Sequence, residues 1–120
     1  MPADPKPRAR VDDRDALRLA AVRPCQITGI QPTDYYVTKV DTHHLIGGSQ
    51  RHDETDNLFR ILHRLHMELT GKRHAALAVL VRAFMTRDQA DYVRLVKGEA
   101  WLNERYPPAH AVAYHAQRGL

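Results

Sequence analysis

One stretch of β-branched and aromatic residues interrupts a chain whose other apolar residues recur at the helical period. The stretch reads "CQITGIQPTDYYVTKVDTHHL" over residues 25–45, with Gly29 and Pro32 between its two apolar runs. This pattern predicts two short strands joined by a loop, with His43 and His44 at the end of the second strand. Helical segments on both sides of it then predict an α+β fold, in which a short β-hairpin packs with helices.

Helical periodicity is present before and after this stretch. Asp12 and Asp13 precede a short amphipathic pattern that stops before Pro24, which predicts a first helix. A second helix is predicted to start at Thr55 or Asp56, either of which is available as N-cap. Its apolar residues follow the helical period: Leu58, Ile61, Leu62, Leu65 and Leu69.

The remainder of the chain predicts three more helices and two irregular ends. The helical segments are "RHAALAVLVRAFMT", "TRDQADYVRLVKG" with Thr86 as N-cap, and the short "EAWLNERYPP". Residues 1–11 combine three prolines with basic residues and predict a flexible basic arm, and residues 107–120 predict a weakly held tail. Because 120 residues suffice for one core, we expect a single domain over residues 12–106.

The charge balance favours an anionic partner. Eighteen Lys and Arg stand against 14 Asp and Glu, a net charge of +4, so nucleic acid is the leading partner class and an anionic membrane surface the second. Cys25 is the only cysteine, which excludes an internal disulfide and fits a reducing compartment. No segment reaches the roughly 18 apolar residues of a membrane span. We therefore expect a soluble, cytoplasmic protein that does not enter membranes.

Three of the eight histidines stand out by position. His43 and His44 are adjacent on a predicted strand, where successive side chains point to opposite faces, so they need different roles if both are functional. His66 lies at the border of the apolar stripe of the second helix and can face the preceding hairpin. Imidazole is the commonest ligand of divalent transition ions, so His43 and His66 suggest a metal site. Taken alone, each histidine is more often an ordinary, partly exposed side chain.

The spacing around these histidines follows a known order. Its parts, from the N-terminal side, are Asp41-Thr-His43-His44-Leu45, the loop "IGGSQRHDETD", Asp56-Asn57-Leu58, and His66 nine residues after Asn57. This arrangement resembles the motif of HNH endonucleases, whose ββα-metal fold carries His, Asn and His in that order. The doubled histidine is also similar to that of colicin-type nucleases. The resemblance covers about residues 25–70 and implies a ββα-metal core there, followed by C-terminal helices over residues 72–106.

The resemblance implies a separate role for each residue of the motif. His43 and His66 would hold one divalent cation, Mg²⁺, Mn²⁺, Ni²⁺ or Co²⁺, which acts as a Lewis acid at the scissile phosphate. His44 would be the general base for the attacking water. Asn57 would tie the loop behind His44 to the helix and hold the base in place, although an asparagine near a helix start is also a common capping residue.

Two departures from the family pattern concern metal ligands. Many members carry paired cysteines for a structural zinc, and Cys25 is the one thiol left, with Thr28, Leu62 and Leu65 at the other places. We therefore expect no structural zinc, and leucine packing where it would sit. Thr70 stands where a further ligand often appears, so the cation site would have two protein ligands. Four nearby residues are alternative ligands: Asp41, His52, Asp53 and His63.

Basic residues around the predicted hairpin and helix are candidates for DNA contact: Lys39, Arg51, Arg60, Arg64, Lys72 and Arg73. The sequence thus predicts a metal-dependent DNA endonuclease or nickase, of the small free-standing kind that phages encode near packaging or recombination genes. Its products would be 5′-phosphate and 3′-hydroxyl ends. Two alternatives stay open, a catalytically degenerate nucleic-acid-binding module and a metal-dependent ribonuclease. No recognition helix is evident, so low sequence specificity is expected.

Overall fold

A two-stranded antiparallel sheet and five α-helices make up the part of the chain that the computed structural model describes, residues 12–48 and 51–109. In chain order they are α1 (Arg14–Ala21), β1 (Val40–His44), β2 (Leu58–Leu62), α2 (His63–Leu69), α3 (His74–Phe84), α4 (Arg87–Lys97) and α5 (Glu99–Arg105). Short 3-10 turns at Tyr36–Thr38 and Thr55–Asn57 precede the two strands. The predicted α+β class is confirmed. The predicted basic arm and the last 11 residues of the tail lie outside the described residues.

The strand that carries His43 and His44 pairs with the segment after the glycine-rich loop. Val40 lies opposite Leu62, and His44 lies opposite Leu58. The chain passes from β2 into α2 without a connecting loop, and the His63 amide donates to the Lys39 carbonyl at 2.8 Å. The order of strand, strand and helix therefore places the first turn of α2 beside the start of β1.

This pairing corrects two predictions. Residues 25–28, predicted as part of a first strand, form a turn in which the Gly29 amide donates to the Cys25 carbonyl at 2.8 Å. The second helix, predicted from residue 55 or 56, begins only at His63, because Leu58–Leu62 is a strand. All five residues of that strand are buried, so they are mostly apolar on both faces. Such a run satisfies the helical period as well as a strand does.

The other helices follow their sequence signals. Asp13 caps α1 by accepting from the amides of Asp15 and Ala16, each at 3.0 Å. Thr86 and Gln89 form a reciprocal capping box at the start of α4, which ends at Gly98 with φ of 93°. These local signals account for α1 and α4, and α3 and α5 also lie where their sequence patterns predict them.

Two apolar clusters hold the elements together. The larger one joins β2 to the C-terminal helices through buried side chains such as Phe59, Val81 and Leu102. In the smaller one, Leu62 and Leu65 pack against Cys25, as expected for the positions without zinc ligands. Among the helices described, none has both the length and the apolar character to cross a bilayer.

Candidate active site

His43 and His44 have different surroundings, as alternation along β1 requires. His43 contacts His66 of α2 and Tyr106, which follows α5. His44 contacts Asp53 of the loop between the strands. Both histidines nevertheless line one cleft of about 370 Å³, whose walls are Thr42, His43, His44, Gly47, Arg51 and His66. The structure thus brings four of the predicted site residues, the two strand histidines, His66 and Arg51, to the same opening.

A hydrogen-bond chain fixes the tautomer of His43. The Tyr106 hydroxyl donates to the Leu45 carbonyl at 2.7 Å, so it accepts from Nε2–H of His43 at 3.0 Å. Burial, with nearby His66, Arg105 and His44, lowers the pKa of His43 to about 3. Burial also raises the pKa of Tyr106 to about 12, so its hydroxyl keeps its proton. His43 is therefore neutral near pH 7, with its lone pair on Nδ1.

The ring of His66 is held from the opposite side by Asp41. Oδ2 of this carboxylate lies 3.0 Å from Nδ1 of His66 and 2.6 Å from Nδ1 of His63. Burial raises the pKa of Asp41, but the hydrogen bonds from His66 and His63 outweigh it and the pKa is lowered overall. The ionised carboxylate can only accept, so Nδ1 of His66 carries a proton. The other ring nitrogen of His66, Nε2, is turned toward His43.

The two facing nitrogens suit a shared cation. Nδ1 of His43 and Nε2 of His66 are 3.3 Å apart. Two nitrogens that each lie about 2.1 Å from one tetrahedral ion are separated by about 3.4 Å. Histidine ligands commonly donate their remote N–H to a carboxylate or another acceptor, which is the position of Asp41 and Tyr106 here. His43 and His66 therefore fit the role of metal ligands.

Among the residues that the structure describes, two imidazoles form the donor set at this place. Across residues 12–48 and 51–109, no group of three or more His, Cys, Asp or Glu side chains is arranged to hold a metal ion. Of the alternative ligands, Asp41 and His63 bond to each other and Asp53 bonds to His44. Thr70 turns its hydroxyl to the Met67 carbonyl at 3.0 Å. Water and phosphate oxygens would have to complete the coordination of a bound ion.

His44 forms a dyad with Asp53. Nε2 of His44 lies 2.8 Å from Oδ1 of Asp53, and both side chains are largely buried. The second oxygen of Asp53 accepts from the Asp13 amide at 3.0 Å. Because the carboxylate accepts the proton of Nε2, neutral His44 has its lone pair on Nδ1. A carboxylate that fixes the tautomer of an imidazole is the arrangement found behind histidine bases.

Asn57 closes the loop that carries Asp53. Its side chain is 0% exposed. Its oxygen accepts from the Ile46 amide at 2.8 Å, and its Nδ2 donates to the carbonyls of Ile46 at 3.1 Å and His52 at 2.9 Å. The residue does not cap α2, whose N-cap is Leu62, so the capping alternative is wrong. Asn57 instead joins the two ends of the loop directly behind His44.

Five of the six candidate DNA-binding residues are exposed, and one is buried. Arg51 lines the cleft, and the exposed remainder lies outside its lining: Lys39, Arg64, Lys72 and Arg73. Arg60 is only 3% exposed. Its guanidinium donates to the carbonyls of Arg23 at 3.2 Å and Ala21 at 3.0 Å and to the Thr42 hydroxyl at 2.8 Å. The prediction that Arg60 contacts DNA is therefore wrong, because its charged end is used inside the fold.

Three partners of the site histidines were not predicted in the roles they have: Tyr106, Asp41 and Asp53. Tyr106 is fully buried and lies 63 positions from His43 in the chain. No local motif marks it, and its position just before Pro107 is no signal for a site. The sequence predicts Asp41 and Asp53 only as alternative metal ligands, and the pairing of Asp53 with His44 depends on the path of the loop.

Comparisons with known proteins do not place this chain in a family. No protein-family model, no curated protein sequence and no solved structure matches it. The geometry around His43, His44 and His66 and the spacing of the motif are therefore the grounds on which a function can be argued.

Proposed function

We propose that this protein is a metal-dependent DNA endonuclease or nickase with a ββα-metal core formed by β1, β2 and α2. One observation carries the proposal. Nδ1 of His43 and Nε2 of His66 face each other across 3.3 Å in the cleft that His44 also lines. The remote nitrogen of each of these three rings is occupied by Tyr106, Asp41 or Asp53. Rings held in this way are preorganised for chemistry at their other nitrogen.

His43 and His66 are the residues that would hold the cation. A divalent ion bound there would neutralise charge on a phosphate and stabilise the oxygen that leaves it. Asp41 and Tyr106 keep the two rings in the required tautomer and orientation. The low pKa of His43, about 3, also leaves its lone pair available at neutral pH. With two protein donors the site is open, which suits an ion that shares its coordination with the substrate.

His44 is suited to take a proton from water at Nδ1. As the water oxygen bonds to phosphorus, the bond from phosphorus to the 3′ oxygen breaks, and its electron pair leaves with that oxygen, which then takes up a proton. The phosphate remains on the downstream fragment, as its 5′-phosphate end. Asp53 stabilises the imidazolium that His44 becomes, and Asn57 holds the loop from which Asp53 projects.

The experiment compares supercoiled plasmid incubated with Mg²⁺, Mn²⁺, Ni²⁺, Co²⁺, Zn²⁺ or EDTA. We expect nicked or linear DNA with a divalent ion and intact DNA in EDTA, and ends that ligase can rejoin because they carry 5′-phosphate and 3′-hydroxyl. The His44→Ala variant, purified in the same way, controls for contaminating nucleases. Cleavage in EDTA, or equal cleavage by wild type and variant, would refute the proposal. An RNA strand and a DNA strand of the same sequence are incubated in parallel. Cleavage of the RNA strand alone would identify a ribonuclease.

A further inference from the structure

Two neighbouring tyrosines are exposed on a turn beside α2. Tyr35 is 77% exposed and Tyr36 is 58% exposed, and the next residue, Val37, also faces solvent. We call residues 33–38 the tyrosine turn. Adjacent exposed side chains with large apolar surfaces commonly mark an interaction site.

The tyrosine turn is closed by hydrogen bonds across its base. The Thr33 amide donates to the Thr38 carbonyl at 3.3 Å, and the hydroxyls of these two threonines also contact each other. Within the turn, the Thr38 amide donates to the Tyr35 carbonyl at 3.1 Å. The rings are therefore presented on an ordered backbone, which lowers the entropy lost when they bind a partner.

The turn is linked to the candidate metal ligand His66 indirectly, through His63 and Asp41. The Tyr36 ring meets His63 edge to face at 5.3 Å, and its hydroxyl lies 3.5 Å from the sulfur of Met67 on α2. His63 and His66 share the carboxylate of Asp41. The aromatic turn therefore packs against α2, the helix that also supplies His66 to the cleft.

Basic side chains accompany the tyrosines. Lys39 directly follows the turn, Arg64 lies in the first turn of α2, and both are exposed. One acidic residue, Asp34, is also exposed in the turn. Exposed aromatic rings next to cations are the composition of surfaces that bind single-stranded nucleic acid, where bases stack on the rings and phosphates meet the cations. The core of a protein-docking surface is instead depleted of charge.

We propose that the tyrosine turn stacks unpaired bases of the DNA strand whose phosphate enters the cleft. The preferred substrate is then single-stranded or frayed DNA rather than continuous duplex. This inference rests on the proposed nuclease function for the cleavage step, whereas the stacking itself is independent of catalysis. Tyr35 is the better probe, because it is the more exposed ring and Tyr36 contacts His63.

The test measures binding without metal. Fluorescence anisotropy in EDTA compares a labelled oligothymidylate with a duplex of the same length, for wild type, Tyr35→Ala, Tyr35→Phe and Leu95→Ala. Leu95 is 86% exposed on α4 and serves as the matched control. We expect tighter binding of the single strand by wild type, a loss of about tenfold for Tyr35→Ala, and near wild-type binding for Tyr35→Phe and Leu95→Ala. Duplex binding should change little in any variant.

Separate readouts distinguish this inference from the proposed function. If wild type cleaves plasmid but Tyr35→Ala binds the single strand as wild type does, the stacking role is overturned and the turn is left to a protein partner. An equal loss on single strand and duplex also overturns it, because stacking requires unpaired bases. If Tyr35→Ala shows the selective loss of single-strand binding but wild type cleaves no DNA with any metal, the nuclease proposal fails and the stacking surface stands.

Discussion

At the residue scale, the three site histidines differ in which ring nitrogen is engaged. His43 is held at Nε2 by Tyr106, His66 at Nδ1 by Asp41, and His44 at Nε2 by Asp53. The remaining nitrogens of His43 and His66 face each other, whereas that of His44 does not take part in the pair. The division of roles between the adjacent histidines is therefore open to separate tests.

Substitution of each histidine should separate metal affinity from proton transfer. We expect His44→Ala to lower the cleavage rate by about 10²–10⁴ with Mn²⁺ affinity nearly unchanged, because a general base acts in the chemical step. His43→Ala and His66→Ala should both weaken Mn²⁺ binding, and excess Mn²⁺ should restore part of their activity. Calorimetric titration and plasmid cleavage on the same preparations measure the two effects. Loss of metal in His44→Ala with retention in His43→Ala would reverse the assignment.

Asp41 gives a second test of which imidazole is the ligand. Asp41→Asn should weaken Mn²⁺ binding about 10- to 100-fold, since it replaces the charged acceptor of His66 by a neutral amide, which orients the ring less firmly and makes it less basic. His63→Asn is the matched control: His63 bonds to the same carboxylate but does not face His43, so Mn²⁺ affinity should stay near that of wild type. Equal losses in the two variants, measured by calorimetry, would move His63 into the metal site.

The burial of His43 also predicts a pH dependence of stability. Its pKa is about 3 in the folded protein and near 6.5 when unfolded. Below about pH 6.5 the unfolded chain therefore binds a proton that the folded chain does not, and the free energy of unfolding falls as the pH falls. The slope for one such group is at most about 1.4 kcal/mol per pH unit. Urea unfolding in EDTA at a series of pH values measures it.

His43→Gln is the control for this effect, because glutamine offers Tyr106 a donor but does not titrate. Its free energy of unfolding should fall less steeply between about pH 6.5 and pH 4.5 than that of wild type. Parallel curves for the two proteins would show that His43 is protonated as readily in the folded chain as in the unfolded one.

At the scale of the elements, local signals predicted α1, α3, α4 and α5 but failed at β2 and at the start of α2. Caps such as Asp13 and Thr86 act over a few residues, so α1 and α4 could be read from the sequence. The strand Leu58–Leu62 depends on pairing with β1 across a long loop, and its burial on both faces removes the alternation that marks a strand. The same contrast between local and long-range signals applies to the candidate site. The motif indicated His43, His44, His66 and Asn57, but not the distant Tyr106.

Arg60 illustrates how a strand residue can hold neighbouring elements. Arg60→Met should lower the free energy of unfolding by about 2–4 kcal/mol, because the carbonyls of Ala21 and Arg23 lose a charged donor. Arg64→Met, an exposed residue on α2, should stay within about 0.5 kcal/mol of wild type. Urea unfolding curves of the two variants provide the comparison, and similar stability for both would argue against the buried position of Arg60.

At the scale of the whole molecule, the net charge of +4 and the position of Arg51 in the cleft predict that phosphate contacts contribute to DNA binding. Without the buried Arg60, five exposed residues are left as candidates for DNA contact: Lys39, Arg51, Arg64, Lys72 and Arg73. They lie on α2 and on the loops around it and around β1. For the proposed DNA substrate, we expect a phosphate backbone at Arg51 in the cleft and further phosphate contacts by several of these side chains.

DNA binding should therefore weaken steeply with salt. With about four or five phosphate contacts, the slope of log affinity against log salt is about −0.9 per contact on duplex DNA and about −0.7 per contact on a single strand. Arg51→Ala should reduce the magnitude of the slope by about one contact, and Arg87→Ala, an exposed arginine on α4, should leave it unchanged. Anisotropy titrations at several salt concentrations give the slopes. A slope near zero for wild type would remove these residues from the interface.

The bond from His43 to Tyr106 sets a limit on how far the proposed nuclease core could be a portable module. The segment from Val40 to Leu69 contains both strands, α2 and every histidine of the cleft, so by length it could be grafted elsewhere. Yet the hydroxyl that holds His43 comes from beyond three further helices, and it is anchored on the Leu45 carbonyl inside that segment. A transplanted core would therefore carry its histidines but leave one of them without its support.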